Sequence, residues 1–155
     1  MAKVFISFIH EEAGVAKALH ELLQKAFPKE SIFLTADEWQ IIAGEKWLDR
    51  IKQELSEAEV VVLLLSASSV QRPWVNFEAG AAWLTQKPII PACYGGVSKG
   101  SLPKPYSDFQ ALDLPADYYF LIHSVAKHLK HLISPPPIFF DSKELKQLEQ
   151  AIEDL

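Results

Sequence analysis

The stretch WVNFEAGAAWL, residues 74 to 84, holds one carboxylate, Glu78, in apolar surroundings, and the nearest charges along the chain are Arg72 and Lys87. Trp74 lies four residues before Glu78. At about 3.6 residues per helical turn the two sit roughly 40° apart on one face, with Phe77 at its border. A carboxylate beside an aromatic plane is the kind of group that serves as base, nucleophile or stabiliser of positive charge. The same spacing fits a glutamate that emerges on a solvated edge of a mostly buried helix, or one that pairs with Arg72 or a lysine from elsewhere. Spacing alone leaves the readings level.

Other constellations carry less. His128 and His131, near His123, have the i, i+3 spacing of two metal ligands, but a solvated basic face accounts for them and no metal site is assigned. GGVSKGS, residues 95 to 101, places Ser101 where a phosphate-binding Walker loop needs lysine. His10-Glu11-Glu12 lacks the second histidine of a zinc protease motif. Ser66, Ser68 and Ser69 have no Gly-x-Ser-x-Gly elbow around them and read as an ordinary capping turn before a helix.

The elements that must position Glu78 follow from periodicity. Lys3 to Phe8 is β-branched and aromatic, and Glu11 to Ala26 carries Val15, Leu19, Leu22, Leu23 and Ala26 at helical spacing. After Pro28, residues 31 to 35 read as a second strand, residues 36 to 46 as a loop, and a helix carries Trp47, Ile51 and Leu55. EVVVLLLS, residues 59 to 66, is apolar on both faces, as a central parallel strand must be. Pro73 suits the first turn of a third helix, ended by Lys87-Pro88. IIPACY is a fourth strand, residues 109 to 114 a fifth, and Tyr118 to Ile133 the last core helix.

This alternation predicts an α/β fold: a flavodoxin-like, doubly wound, five-stranded parallel sheet in the order 2-1-3-4-5. Ligands of such sheets bind beyond the carboxyl ends of strands 1 and 3. Phe8, Ile9 and His10, Ser66 to Ser69 and the start of the third helix are expected there. The chain divides into one domain, residues 1 to 134, and a proline-rich linker with a C-terminal helix, residues 135 to 155, that docks on the domain or leads to another.

Composition narrows the classes. Of 155 residues 49% are hydrophobic and 23% charged, and the net charge is −5 with no basic cluster, which argues against a nucleic-acid partner. The single cysteine, Cys93, rules out an internal disulfide and fits a reducing cytoplasm. The longest apolar run is too short for a membrane span and the N-terminus lacks signal-peptide features.

Taken in order, three segments resemble the Toll/interleukin-1 receptor (TIR) domain family, its prokaryotic, NAD-cleaving branch in particular, over residues 3 to 133. KVFISFIHEE is similar to the first family box, and LTADEWQIIAGEKWLDRI to the second strand, the BB loop and the Gly-x-x-Trp pattern, here Gly44 and Trp47. EVVVLLLSASSVQRPWVNFE resembles the third strand, the serine-rich turn and the Trp-x-x-x-Glu pattern, here Trp74 and Glu78. Departures are Phe8 for a common Tyr, Glu11 or Glu12 for a usual Asp, Ala43-Gly44 for Pro-Gly, and no clear Phe-Trp box near Phe120. They weaken a receptor-adaptor reading more than an enzymatic one.

The resemblance implies that Glu78 is the catalytic residue of an NAD+ glycohydrolase or cyclase. Phe8, Ile9, His10, Trp39, Lys46, Trp47, Trp74 and Phe77 would line its substrate site, with NAD+ as substrate and no bound cofactor. It further implies activation by self-association through the 36–46 loop, where Trp39, Ile41 and Ile42 are apolar, and a cytoplasmic role in antiphage defence, with a sensor domain or partner protein supplying the signal. Two other functions fit the residues: a non-catalytic TIR scaffold, and an enzyme resembling nucleoside deoxyribosyltransferases, which also place a glutamate at a ribosyl carbon.

Overall fold

The computed structural model describes residues 3–36, 47–130 and 142–155. Val4–Phe8 (β1), Ile32–Ala36 (β2), Val60–Leu65 (β3), Ile89–Cys93 (β4) and Leu112–Asp113 (β5) form one parallel sheet in the order β2-β1-β3-β4-β5. This is the order expected from the sequence. Helices Ala13–Ala26 (α1), Trp47–Glu57 (α2), Pro73–Leu84 (α3) and Tyr118–His128 (α4) follow β1, β2, β3 and β5, and Lys143–Glu153 (α5) comes after them.

All six residues of β3 are buried because its side chains alternate between two helical layers. Val60, Val62 and Leu64 enter the core shared with α1 and α4, whereas Val61, Leu63 and Leu65 enter the one shared with α2 and α3. The α5 helix packs on α1 and buries Leu145 and Leu148 in the first of these cores. The Ser142 hydroxyl caps α5, accepting a 3.1 Å bond from the Leu145 N–H, which satisfies one of the donors that every helix start leaves open.

Three boundaries differ from the sequence expectation. The sequence suggests a weak strand over residues 109 to 114, but only Leu112 and Asp113 pair with β4. A 3-10 turn at Tyr106–Asp108 holds the chain just before, and Pro115 just after has no N–H to offer a ladder. The last core helix stops at His128 rather than Ile133: Leu129 takes an extended backbone (φ −83°, ψ 104°), and the Lys130 N–H donates to Glu59 Oε2 at 2.9 Å. The helical pattern beginning at Glu11 opens instead as a 3-10 turn, His10–Glu12, before α1 starts.

Candidate functional site

The site is built around α3. Pro73 occupies its first turn, where a missing N–H costs nothing. Its buried residues are Val75, Glu78 and Ala82, a stripe that faces the sheet. Glu78 is therefore not on a solvated edge: it is 0% exposed. Its Oε1 accepts a 2.8 Å hydrogen bond from Ser7 Oγ near the end of β1, and Ser7 is likewise 0% exposed.

Ser7 reaches Glu78 because of strand alternation. Phe5 and Ile9 lie in the α2/α3 core, so Ser7 between them points to the same side. Thr35 is its register partner on β2 and is 2% exposed. Phe33, two residues earlier, packs against the α2/α3 core, which puts Thr35 on that face too. The Thr35 hydroxyl has no hydrogen-bond partner among the described residues. Buried polar groups normally find partners, so this corner, with Ser7, Thr35 and Glu78 at the carboxyl ends of β1 and β2, carries more polarity than packing alone requires.

A second buried acid organises the junction of β1, β3 and β4. Glu12 Oε1 accepts from Ser66 Oγ at 2.8 Å and from the Tyr94 hydroxyl at 2.7 Å. Burial, and then the bond to Glu12, push the Tyr94 phenol far above its usual pKa, so it donates as the neutral phenol. Ser66 and Ser69 bond each other reciprocally, the Ser66 N–H to Ser69 Oγ at 2.7 Å and the Ser69 N–H to Ser66 Oγ at 3.1 Å. These bonds close the turn on itself; neither the 3-10 turn at Ser69–Gln71 nor α3 has a side-chain cap at its N-cap residue, so the serines brace the turn rather than cap α3 as the sequence suggests. On the surface, Arg72 donates to Glu11 Oε1 at 2.8 Å and holds that carboxyl below its ordinary pKa.

Of the residues expected to line a substrate site, Ile9 and Trp74 share the α2/α3 side of the sheet with Glu78. Phe8 is turned into the opposite core. His10 is exposed at the start of the 3-10 turn. The Trp74 ring stacks on Phe77, with centroids 5.5 Å apart and planes at 26°, and Phe77 is 54% exposed. Trp47 heads α2, but its side chain, like all of Trp39 and Lys46, lies outside the described residues. Sequence reasoning missed Ser7 and Thr35, although each is the polar residue in an otherwise apolar strand, VFISF and IFLTA.

Known proteins show where this arrangement belongs. The family model for the TIR domain matches residues 4–129. The TIR domain of the Toll-related receptor TRR-2 from Hydra magnipapillata superposes with a TM-score of 0.61 at 14% identity, covering 81% of this chain and 98% of that one. A metazoan TIR-STING receptor from C. gigas, in complex with 2',3'-cGAMP, gives a TM-score of 0.57 at 21% identity over 87% of this chain, which spans 41% of that receptor. The TIR domains of the activated Roq1 resistosome, which directly recognises the pathogen effector XopQ, give 0.51 at 16% identity with 99% of both chains covered. No curated protein matches significantly. With the family match running from β1 through the end of α4, and with the sheet order described above, the chain belongs to the TIR domain family.

Proposed function

We propose that this TIR domain is an NAD+ glycohydrolase or cyclase of the prokaryotic type, with Glu78 as its catalytic residue. The observation that carries the reading is a fully buried carboxylate on α3, at the carboxyl end of β1, with one oxygen fixed by Ser7 at 2.8 Å. Keeping a carboxylate out of water costs several kcal/mol unless it is well bonded, and function is a reason to retain such a group.

Cleavage breaks the bond between ribose C1′ and the nicotinamide nitrogen. The electron pair returns to the pyridinium ring, which leaves neutral, so no general acid is needed. The ribose becomes oxocarbenium-like, and a carboxylate against it stabilises that charge or attacks C1′. Water then gives ADP-ribose and a proton; a ring nitrogen of the adenine gives cyclic ADP-ribose. Ser7 would orient Glu78, and Trp74 would wall the ribose or nicotinamide. A dinucleotide cannot touch a residue that is 0% exposed, so the site must open. Self-association through the 36–46 loop, in the cytoplasm and in response to a sensor or partner, supplies that step in an antiphage defence role.

The test is nicotinamide release from NAD+ at high protein concentration or with a crowding agent. Glu78→Gln keeps the shape and loses the charge, and is expected to lower release by roughly 10²–10³-fold. Wild-type activity in Glu78→Ala overturns the assignment. A second reading, in which the acid is a structural anchor for α3 in a non-catalytic assembly module, accounts for the absence of a path to Glu78 among the described residues of the folded domain. Absence of release under every assembly condition supports that reading, and base exchange between deoxynucleosides would support the transferase.

A further inference from the structure

The flank of α3 that carries Asn76, Gly80 and Trp83 borders a cavity of about 720 Å³, floored by Ile89 of β4, with the fully buried Leu63 of β3 beneath, and bounded on the far side by residues 103–109. Glu78, Ser7, Ile9 and Trp74 are not among its lining, so it is separate from the site described above. Tyr106 is 3% exposed and donates its hydroxyl to Asn76 Oδ1, which ties the far wall to α3. Trp83, 65% exposed, stands at the mouth.

Gly80 gives an independent reason to treat this space as built. A glycine inside a helix costs about 1 kcal/mol relative to alanine. Its backbone is not in the left-handed region, and a Cβ placed on it would meet nothing within 4 Å. Neither the turn of the chain nor close packing within the domain requires glycine here; Gly80 is exposed and belongs to the cavity lining, so a long side chain at this position has the mouth of the cavity within its reach.

Size and lining define the ligand. Cavities of roughly 300–1,000 Å³ with mostly apolar walls and a few polar groups hold drug-sized molecules. Trp83, Tyr106 and Phe109 offer planar surfaces. Among the described residues the lining has one cation, Lys104, against one carboxylate, Asp108. A pyrophosphate would bring two negative charges to that balance, so a dinucleotide is disfavoured. We infer that the cavity between α3 and residues 103–109 is a binding site for an apolar, ring-bearing small molecule carrying no more than one negative charge.

The probe is 8-anilinonaphthalene-1-sulfonate, which has flat rings and one sulfonate, titrated into the full chain with near-UV circular dichroism recorded alongside. Expected are saturable binding of one probe per chain, a blue-shifted emission and energy transfer from tryptophan. Gly80→Leu fills the space with a better helix former and is expected to weaken binding by about tenfold or more, with far-UV dichroism and melting temperature at or above wild type. Lys104→Glu should weaken the sulfonate by about threefold while sparing the neutral analogue N-phenyl-1-naphthylamine. NAD+ should not displace the probe. Unsaturable binding, equal affinity in Gly80→Leu, one probe per two chains, or loss of the near-UV signal on binding would each overturn the inference.

Discussion

Removing the Ser7 hydroxyl tests both the geometry and the role given to Glu78. In the folded chain Ser7 Oγ donates to Glu78 Oε1 at 2.8 Å, and both residues are 0% exposed. A hydrogen bond to a charged group contributes about 1.5–3 kcal/mol, and a neutral pair about 0.5–1.5 kcal/mol. Ser7→Ala should therefore cost about 1.5–3 kcal/mol in the native background, a fall of roughly 3–12 °C in melting temperature for a domain of this size. With Glu78→Gln already present, the same substitution should cost about 1 kcal/mol less, since its partner is no longer a carboxylate. Urea or thermal unfolding of the four proteins of this cycle gives the coupling. Nicotinamide release supplies a second readout: a residue that orients the carboxylate lowers kcat and leaves KM nearly unchanged. Equal cost in both backgrounds, or a Ser7→Ala protein within about 0.5 kcal/mol of wild type, would refute the reasoning.

Further outcomes follow from other parts of the fold. Leu148 is 0% exposed between α5 and α1, so Leu148→Ala should lose about 2–5 kcal/mol in urea unfolding, and a loss below about 1 kcal/mol would contradict the docking of α5. Cys93 is fully buried; burial, and then the charge of Asp113, push its thiol up to about 11. A disulfide reagent at pH 8 should thus label it only as the protein unfolds, and fast labelling of the native chain would be inconsistent with that burial. The Asp117 carboxylate accepts from the Asp113 N–H at 2.9 Å and from Lys99 Nζ at 3.0 Å, and in that order these hold its pKa below the ordinary 3.8. Its contribution to stability is complete above 3.8 and is lost as pH falls through the lower folded value. Asp117→Asn should flatten the acid limb of the melting temperature against pH, and an unchanged limb would exclude the contribution.

The periodic elements were legible because burial on both faces or on one stripe leaves a direct mark. Val60 to Leu65 reads as a central strand from composition alone; right-handed crossovers put helices on both faces of the sheet, and a count of five strands favours the 2-1-3-4-5 order. Glu78 was legible as an anomaly but not as a buried group: its i, i+4 relation to Trp74 is the same for a solvated edge, and the distinction rests on Ser7, 71 residues away. Ser7 and Thr35 were invisible as a pair because their meeting depends on strand register. The length of β5 depended on Pro115 and the turn at Tyr106–Asp108, both of which override a favourable strand composition. The cavity beside Gly80 left no periodic trace at all, since it is a gap between α3 and residues 103–109, which lie beyond β4 in the chain.

The two-residue β5 also governs what the sheet can do at high concentration. An edge strand offers its outward N–H and C=O groups to any neighbouring chain, and a long flat edge seeds cross-β growth. Here the edge strand itself presents only Leu112 and Asp113, with Pro115 close behind. Strand addition by a neighbouring copy therefore finds little ladder to extend along β5, and at this border the domain can be concentrated without offering a template for irreversible cross-β aggregation.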